Sequence, residues 1–403
     1  MASEPARSLR LIVLFVVFVP SAALAADWPN WRGTNHDGIC SETGLQTQWD
    51  RPLPLVWERV IGASFSSFSC VDDRLFTCGT IENQQTLFCL NAGTGKVIWR
   101  LPFEKQFRDS SGGNGTRATP TVSAGRVYVL GGHGTLICAD ATTGSELWRK
   151  EFHHPPRWGY SGSVLAEDET VIVSVGGSDG ALVALDATTG KAKWNCGNDA
   201  AGYATPYPFT FEGRRFIAGF MANSAILADA ATGRLAWRME WETDWDVNAA
   251  TPIFHQGHLF LSSGYRHGCI LLKLRSEDKG PAADAIWQSR VLRNKFQSPV
   301  LWEGHLYSCD EKGLKCVEFL TGEEKWSRPR TKHGTVLIAD GHLFVLTQDG
   351  TLFIAPATAS GFEPVTEAKI LGGRCWTVPM ICGGRLYARN LERVVCFDLR
   401  VVN

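Results

Sequence analysis

The side chains of this sequence that could bind a ligand concentrate in irregular segments between its regular, β-rich runs. These segments bring together Trp, Tyr, Arg, Lys, Asp, Asn and His. They cover residues 104–120, 153–163, 197–206, 242–252, 293–299, 330–335 and 372–379. Aromatic walls with a few convergent charges are what a small-molecule pocket requires. A ligand site is therefore predicted where these segments meet.

The candidate residues for that site come from all seven segments. They are Arg117, Trp158, Tyr160, Tyr203, Trp245, Asp246, Asn248, Lys295, His333, Arg374 and Trp376. Trp and Arg side chains could sandwich a planar ligand such as a quinone, and Arg117, Lys295 or Arg374 could hold its carboxylates. Asp246 could act as a general base, or could join Asn248 in supplying oxygen ligands to calcium. The alternative is a polar loop surface that binds no small ligand.

Several metal-binding patterns are absent from the sequence. Residues 242–248 lack the glycine and the distal glutamate of a calcium-binding loop. There is no H-E-x-x-H, no C-x-x-C and no adjacent pair of cysteines. The pair His153 and His154 is interpreted as part of an exposed loop rather than as a metal site.

The regular runs between these segments repeat one phrase, of which ADATTGSELW is a full example. Successive copies end at Trp99, Trp148, Trp194, Trp237, Trp287 and Trp326. The unit over residues 118–148 contains four short β-rich runs separated by Gly-rich turns, which predicts an antiparallel meander. A period of about 40 to 50 residues is typical of one β-propeller blade per repeat. Blade five has a longer polar turn, residues 276–284, which is interpreted as an exposed loop insertion.

The ends of the chain complete the count of blades. A seventh unit begins at His333, and its closing strand near residues 367–371 has no Trp. An eighth begins at Trp376 and stops after three strands, while residues 54–60, with Trp57, supply a spare one. We predict an all-β, eight-bladed β-propeller of four-stranded antiparallel blades over residues 54–403. The N- and C-terminal strands share the last blade, which removes open sheet edges.

The repeated residues have structural explanations. Asp140, Asp186 and Asp229 can bond turn amides, the glycine permits a tight turn, and the Trp packs between neighbouring sheets. The positions of the twelve cysteines argue against a dense disulfide framework. Four of them, Cys89, Cys138, Cys316 and Cys396, share one repeat position that Ala184 and Ala228 fill in other copies, which predicts small buried apolar residues. Whether one or two disulfides form among the remaining cysteines stays an open alternative.

The first 25 residues resemble a cleaved secretory signal. Arg7 and Arg10 precede the apolar run 11–19, and small residues end the segment at 23–25. An uncleaved anchor is the alternative. We expect secretion, most simply to a bacterial periplasm, without membrane insertion after cleavage. Residues 26–53 are expected to pack on the ring, with 31–33 and 36–38 crossing it.

Composition limits the class of partner. The net charge of −1 over 403 residues gives no basic surface for nucleic acid. We expect a monomeric propeller with a protein, peptide or glycan partner.

The A-x-D-A-x-T-G-x-x-x-W phrases, repeated over eight units, resemble the pyrroloquinoline quinone (PQQ) repeat, or quinoprotein-like, β-propeller superfamily. That superfamily includes PQQ-dependent alcohol dehydrogenases and the propeller subunit of the outer-membrane β-barrel assembly machinery. The segments WPNWRGTNHDG, TDWDVNAATP, SSGYRHGCILLKL and GRLYARN are similar to a planctomycete-type, polyvinyl-alcohol-dehydrogenase-like branch. The chain lacks the large insertions, adjacent-cysteine disulfide and haem motif of many quinoprotein dehydrogenases. It also lacks the lipid-accepting cysteine of the assembly-machinery propeller.

The resemblance therefore implies two functions. The first is an exported binding or scaffold module for a protein, peptide or glycan, with cell-envelope assembly as a special case. The second is a PQQ- and calcium-dependent alcohol oxidoreductase, in which calcium would polarise the quinone and Asp246 would accept the substrate proton. We favour the first because no catalytic constellation is recognisable. Whether the protein is an enzyme stays open.

Overall fold

A computed structural model describes residues 27–49, 52–278, 280–329, 331 and 333–401. The predicted signal peptide lies outside these residues. Two strands precede the first complete blade: β1 (Ile39–Cys40) and β2 (Leu55–Val60). The remaining strands follow blade by blade.

Blades 1 to 4 contain β3 (Ser69–Val71), β4 (Arg74–Ile81), β5 (Gln84–Asn91), β6 (Val97–Lys105), β7 (Thr121–Ser123), β8 (Arg126–Leu130), β9 (Thr135–Asp140), β10 (Glu146–Glu151), β11 (Leu165–Glu167), β12 (Thr170–Ser174), β13 (Leu182–Asp186), β14 (Ala192–Cys196), β15 (Tyr207–Phe211), β16 (Arg214–Phe220), β17 (Ser224–Asp229) and β18 (Leu235–Glu240). Blades 5 to 8 contain β19 (Ile253–His255), β20 (His258–Ser263), β21 (Gly268–Glu277), β22 (Gly280–Ser289), β23 (Val300–Trp302), β24 (His305–Cys309), β25 (Gly313–Glu318), β26 (Glu324–Pro329), β27 (Thr335–Ala339), β28 (His342–Leu346), β29 (Thr351–Pro356), β30 (Thr366–Lys369), β31 (Met380–Cys382), β32 (Arg385–Arg389) and β33 (Arg393–Asp398). The described residues also contain two single 3-10 turns, Gly177–Asp179 and Asp244–Asp246.

The strands form eight antiparallel sheets, one for each predicted blade. Blade 8 combines β31, β32 and β33 with β2 from the other end of the chain. In this pairing Trp57 lies opposite Cys396. The eight-bladed, all-β fold and the shared last blade are therefore confirmed. β1 adds a short parallel strand to β27 in blade 7.

The predicted loop insertion in blade five was wrong. Residues 276–284 mostly continue β21 and β22 as a long hairpin, in which Ser276 pairs with Pro281 and Lys273 pairs with Asp284. Arg275 forms an ion pair with Asp284 across the two strands. Polar composition suggested a loop, but cross-strand ion pairing and ladder hydrogen bonds allow exposed polar strands.

The repeated Trp and Gly connect each blade to the next. The Nε1 atom of Trp99 donates a hydrogen bond to the carbonyl of Ala141 at 3.2 Å, and the same bond joins Trp148 to Ala187 at 3.1 Å. The glycine of the next turn lies against the ring, because a Cβ added at Gly144 would meet Trp99 at 2.5 Å. The phrase therefore contributes a turn and an inter-blade contact in the same few residues.

Each blade-closing Trp pairs with a residue of the neighbouring strand, and one of the predicted pairing residues was wrong. Cys89, Cys138, Cys316 and Cys396 each pair with a blade-closing Trp and are buried. In blade 4 the residue paired with Trp237 is Leu227, while Ala228 pairs with Leu235. The predicted equivalence of Ala228 was wrong by one position, because Leu227 is the residue that lies two positions before the turn aspartate Asp229, as Ala184 does before Asp186.

The contact between Gly144 and Trp99 predicts a measurable cost of substitution. Gly144 and Gly125 have nearly the same positive φ, 75° and 72°, but a Cβ at Gly125 would meet nothing within 4 Å. We expect Gly144→Ala to lower the free energy of unfolding by about 1–3 kcal/mol more than Gly125→Ala, because only the first overpacks a ring. Equal losses in chemical denaturation would contradict this account.

Serine and threonine hydroxyls align the inner strands around the channel. The amide of Ser67 donates to Thr119 Oγ1 at 3.0 Å, and Thr119 in turn donates to Ser163 Oγ at 2.9 Å. Ser163 continues the series to Thr205 Oγ1 at 2.9 Å. At the start of blade 5 the hydroxyl of Thr251 instead accepts the indole Nε1 of Trp31 at 3.0 Å.

The N-terminal segment, residues 27–49, crosses the ring from blades 1 and 2 to blades 6 and 7. Trp28 exchanges two backbone hydrogen bonds of 2.8 Å with Cys70, and the amide of Val122 donates to the carbonyl of Pro29 at 2.7 Å. On the far side, buried Arg32 donates to the carbonyls of Ser298, at 3.1 Å, and Pro299. Burial lowers the pKa of Arg32 to about 10, so it stays charged at neutral pH.

A second buried arginine joins blade 8 to blade 1. Arg389, at the end of β32, is completely buried. Its guanidinium donates to the carbonyls of Cys78 at 2.7 Å and Ser66 at 3.1 Å, and to Thr77 Oγ1 at 3.1 Å. It makes no salt bridge within the described part of the chain, so backbone carbonyls provide most of its solvation. The contact lies where the two ends of the chain close the ring.

Candidate functional site

A cavity of about 360 Å³ lies at the channel mouth where the irregular segments meet. We call it the channel-mouth cavity. Its lining residues are Trp31, Phe65, Asp109, Ser111, Gly112, Arg117, Trp158, Ser161, Ser163, Tyr203, Thr205, Val247, Ala249, Tyr265, Lys295, Phe296, Trp376 and Thr377. Most of them stand just before an inner strand, so the ring of blades brings them together from distant parts of the sequence.

Aromatic rings form two opposing sides of the channel-mouth cavity. Trp376 stacks on Phe65 with ring centroids 5.7 Å apart and an interplanar angle of 19°, and contacts Phe296 at 4.8 Å. Trp158 and Tyr203 pack together at 6.1 Å. Trp376 precedes blade 8 and Tyr203 precedes blade 4, which are opposite positions in an eight-membered ring. Aromatic rings therefore line the cavity from both sides of the channel.

An ion pair occupies one edge of the cavity. Arg117 Nη2 lies 2.8 Å from Asp109 Oδ2, and both side chains are largely buried. Burial lowers the pKa of Arg117, although the charge of Asp109 opposes this shift. Burial alone would raise the pKa of the Asp109 carboxyl, but hydrogen bonds from Ser111 and the charge of Arg117 lower it overall. Both groups therefore remain ionised at neutral pH and largely satisfy each other.

Lys295 is the other cation among the described residues of the cavity lining, and it has a different environment. Its Nζ lies 4.5 Å from the ring centroid of Tyr265, as in a cation–π contact. It forms no salt bridge with any residue that the structure describes. Its charge therefore remains available to an anionic group that enters the cavity.

The structure brings together some of the candidate residues and separates others. Arg117, Trp158, Tyr203, Lys295 and Trp376 line the channel-mouth cavity. His333 and Arg374 lie behind its aromatic side: His333 stacks on Phe296 at 5.3 Å, and the Arg374 guanidinium lies 4.5 Å above Trp376.

The other four candidates lie outside the cavity lining. Tyr160 is buried between blades and donates its hydroxyl to the carbonyl of Val175 at 3.0 Å. Trp245 is 57% exposed and meets Trp158 edge-on at 6.5 Å. Asp246 is exposed, and Asn248 is completely buried.

Four aromatic residues of the cavity, Trp31, Phe65, Tyr265 and Phe296, were not among the predicted candidates. Phe65 lies just before blade 1, in a segment without the charged residues that marked the others. Phe296 lies within residues 293–299 but carries no charge. Trp31 comes from the N-terminal segment and lies across the channel, where its indole is held by Thr251. Only the repeat position of Phe65, equivalent to that of Arg117, could have indicated it from sequence.

One motif was also missed. Residues 176–180, GGSDG, match G-x-S-x-G, and Ser178 Oγ lies 2.8 Å from His154 Nε2. A hydrolase nucleophile elbow connects a strand to a helix, whereas this turn connects β12 to β13. Both side chains are exposed, and no described carboxylate holds the imidazole. The pair is therefore a surface hydrogen bond between two loops.

The donor set does not fit the calcium ion that a quinoprotein site would need. Asn248 Oδ1 already accepts hydroxyl hydrogen bonds from Ser263 at 2.7 Å and Thr243 at 3.3 Å. The Asn223 amide, oriented to satisfy both of its polar atoms, donates to Asp246 Oδ1 at 2.9 Å. Calcium prefers six to eight oxygen ligands, and no group of three His, Cys, Asp or Glu residues suited to a metal occurs among the described residues. Asp246 and Asn248 are therefore not suitable ligands.

The comparisons with known proteins agree with the propeller fold. A family model described as outer membrane protein assembly factor BamB matches residues 42–196 and 83–279. BamB from Moraxella catarrhalis has a TM-score of 0.64 at 16% identity, over 88% of this chain and 99% of that one. Quinohemoprotein alcohol dehydrogenase from Comamonas testosteroni has a TM-score of 0.65 at 14% identity, over 94% and 81%.

Two further results limit what these similarities mean. A search of curated proteins finds no significant match. The computationally designed protein Ika8 reaches a TM-score of 0.62 at 11% identity, so the fold is shared at very low sequence identity. No helix in the described part of the chain is long and apolar enough to cross a membrane. Because the matched residues cover more than half of its length, the chain belongs to the PQQ-repeat family of outer membrane protein assembly factor BamB.

Proposed function

We propose that this protein is an exported binding module, and that its channel-mouth cavity receives an anchor group of a protein or peptide partner. The anchor carries an aromatic ring and a carboxylate. The observation that supports this best is Lys295, a cation without a salt bridge to any described residue, placed between aromatic sides in a cavity of about 360 Å³. Buried aromatic and charged anchors supply most of the affinity of protein interfaces.

The polar lining favours a peptide over a glycan. Discrimination of sugar hydroxyls requires several free carboxylates or amides, each accepting or donating in a fixed direction. Among the described lining residues the only carboxylate is Asp109, which Arg117 already engages, and none is Asn or Gln. The hydroxyls of Ser161 and Thr205 are bonded within the ring.

The alternative function, a PQQ- and calcium-dependent oxidoreductase, has less support from the residues of the cavity. The aromatic sides of the cavity would suit a flat quinone, but among the described lining residues its three carboxylates would meet one cation that lacks an ion pair, Lys295. The oxygen ligands for calcium are engaged elsewhere, as described above. We derive no catalytic step for this chain.

Calorimetric titration with an acetylated peptide that ends in phenylalanine tests the proposal. We expect Lys295→Met to weaken binding about tenfold to hundredfold, since a hydrogen bond to a charged group is lost. Trp158→Ala is expected to weaken it about thirtyfold or more. Lys193→Met removes an exposed lysine of blade 3 and serves as the matched control.

Three outcomes would contradict the assignment of a protein or peptide anchor to this cavity. The first is an affinity that is the same for Lys295→Met and Lys193→Met. The second is stoichiometric binding of PQQ with calcium, together with dye-linked oxidation of an alcohol, which would identify a dehydrogenase. Binding of oligogalacturonate but not of the peptide would assign the cavity to an acidic glycan instead.

A further inference from the structure

Three buried cysteines meet at the junction where the ring closes. Cys70 lies on β3, the inner strand of blade 1, and Cys382 on β31, the inner strand of blade 8. Cys40 comes from β1 of the N-terminal segment. All three are at most 5% exposed and belong to one apolar cluster.

The inner strands of blades 1 and 8 lie side by side at this junction. Ser67 Oγ donates to the carbonyl of Val378 at 2.8 Å, and Thr377 Oγ1 donates to the carbonyl of Phe65 at 3.0 Å. A few residues further along both strands, Cys70 and Cys382 share the same buried apolar cluster, and interaction with the Cys382 thiol raises the pKa of Cys70. The thiol of Cys40 instead approaches the carbonyl of Ile381 at 3.7 Å.

We propose that Cys70 and Cys382 form a disulfide bond that closes the ring covalently when the chain folds under oxidising conditions. In this reaction the two thiols together transfer two protons and two electrons to an external disulfide, which is the oxidant. With oxidised glutathione as the oxidant, one S–S bond forms between the cysteines, and one molecule of the oxidant becomes two reduced glutathiones. The only part of the proposed function on which this disulfide depends is export, since disulfides persist in oxidising compartments.

The position of this bond gives it a structural effect. It joins the first complete blade to the last and encloses roughly 300 residues, and a longer loop restricts the unfolded chain more. Both thiols are inaccessible once the ring is closed, since Cys70 and Cys382 are 2% and 5% exposed. The bond therefore forms while blades 1 and 8 dock, and not by oxidation of the folded surface.

Refolding of the denatured chain in oxidised and reduced glutathione, compared with refolding in dithiothreitol, tests the proposal. Free thiols are alkylated under denaturing conditions, and peptides are mapped by mass spectrometry without reduction. We expect a linked pair of peptides containing Cys70 and Cys382, with ten alkylated cysteines left of the twelve. We expect the Tm to be about 5 °C higher in the oxidised protein.

Variants make the test specific. Cys70→Ala and Cys382→Ala should each remove the linked peptide and the redox-dependent part of Tm. Cys138→Ala, at a buried cysteine of blade 2, should retain both. The comparison of oxidised and reduced wild-type protein remains decisive if a variant does not fold.

Two results would overturn the proposal. One is alkylation of all twelve cysteines after oxidative refolding. The other is a Cys40–Cys382 or other linkage in place of the expected one. Neither outcome bears on the channel-mouth cavity, because these cysteines do not line it.

Discussion

Arg389→Met is expected to lower the free energy of unfolding by about 3–5 kcal/mol, because several buried acceptors lose their donor together. Arg389 lies on the second-to-last strand of the chain. Its guanidinium donates to the carbonyls of Cys78 and Ser66 in the first blade. Methionine fills a similar volume but donates no hydrogen bond. Chemical denaturation followed by tryptophan fluorescence measures the loss.

Arg385→Met is the matched control for this prediction. Arg385 lies on the same strand, β32, four residues earlier, and is only partly buried. We expect its replacement to cost less than about 1 kcal/mol, as for most surface substitutions. Similar losses at Arg385 and Arg389 would mean that the acceptors around Arg389 are satisfied without it.

Arg32→Met is expected to release the N-terminal segment from blades 6 and 7. Its guanidinium bonds the carbonyls of Ser298 and Pro299 on the ring, and those of His36 and Asp37 within the segment. Loss of these donors should cost about 2–4 kcal/mol. The rate of hydrogen exchange should then rise more than tenfold at the amides of Gly38 and Ile39, because docking of the segment on the ring protects these amides.

The consequence for the cavity can be measured separately. Trp31 lies next to Arg32 and lines the channel-mouth cavity, so Arg32→Met should also weaken binding of the peptide probe. Arg100→Met, at an exposed position of β6, should change neither exchange nor binding. Unchanged exchange over residues 28–40 in Arg32→Met would show that strand pairing alone holds the segment.

The turn chemistry of the repeat could be predicted in detail because it is local. The carboxylate of Asp140 accepts the amides of Thr142 and Thr143, at 3.0 and 2.7 Å. Asp186 does the same in the next blade. These bonds span two or three residues, so a single copy of the phrase contains all of the participants. Counting the copies then gave the number of blades and the origin of the missing strand.

The candidate site could be predicted only in part. Trp158 and Tyr160 are two residues apart and chemically alike, yet one lines the cavity and the other is buried between blades. Asn248 appeared suited to a ligand, but its amide bonds the carbonyls of Met221 and Ala222. The direction of a loop side chain depends on neighbours from other blades, and sequence spacing carries no information about them.

The architecture could be inferred from the sequence: eight repeats, their turns, and the closure of the ring by both ends of the chain. These features rest on contacts between residues close in sequence, or on a pattern repeated often enough to be counted. Which side chains line the cavity became evident only in the folded structure. Trp31 lies across the channel because Arg32 and Thr251 hold it there, and the Lys295 charge is available because no described carboxylate approaches it. Such contacts join residues hundreds of positions apart, and they exist only after the ring has formed.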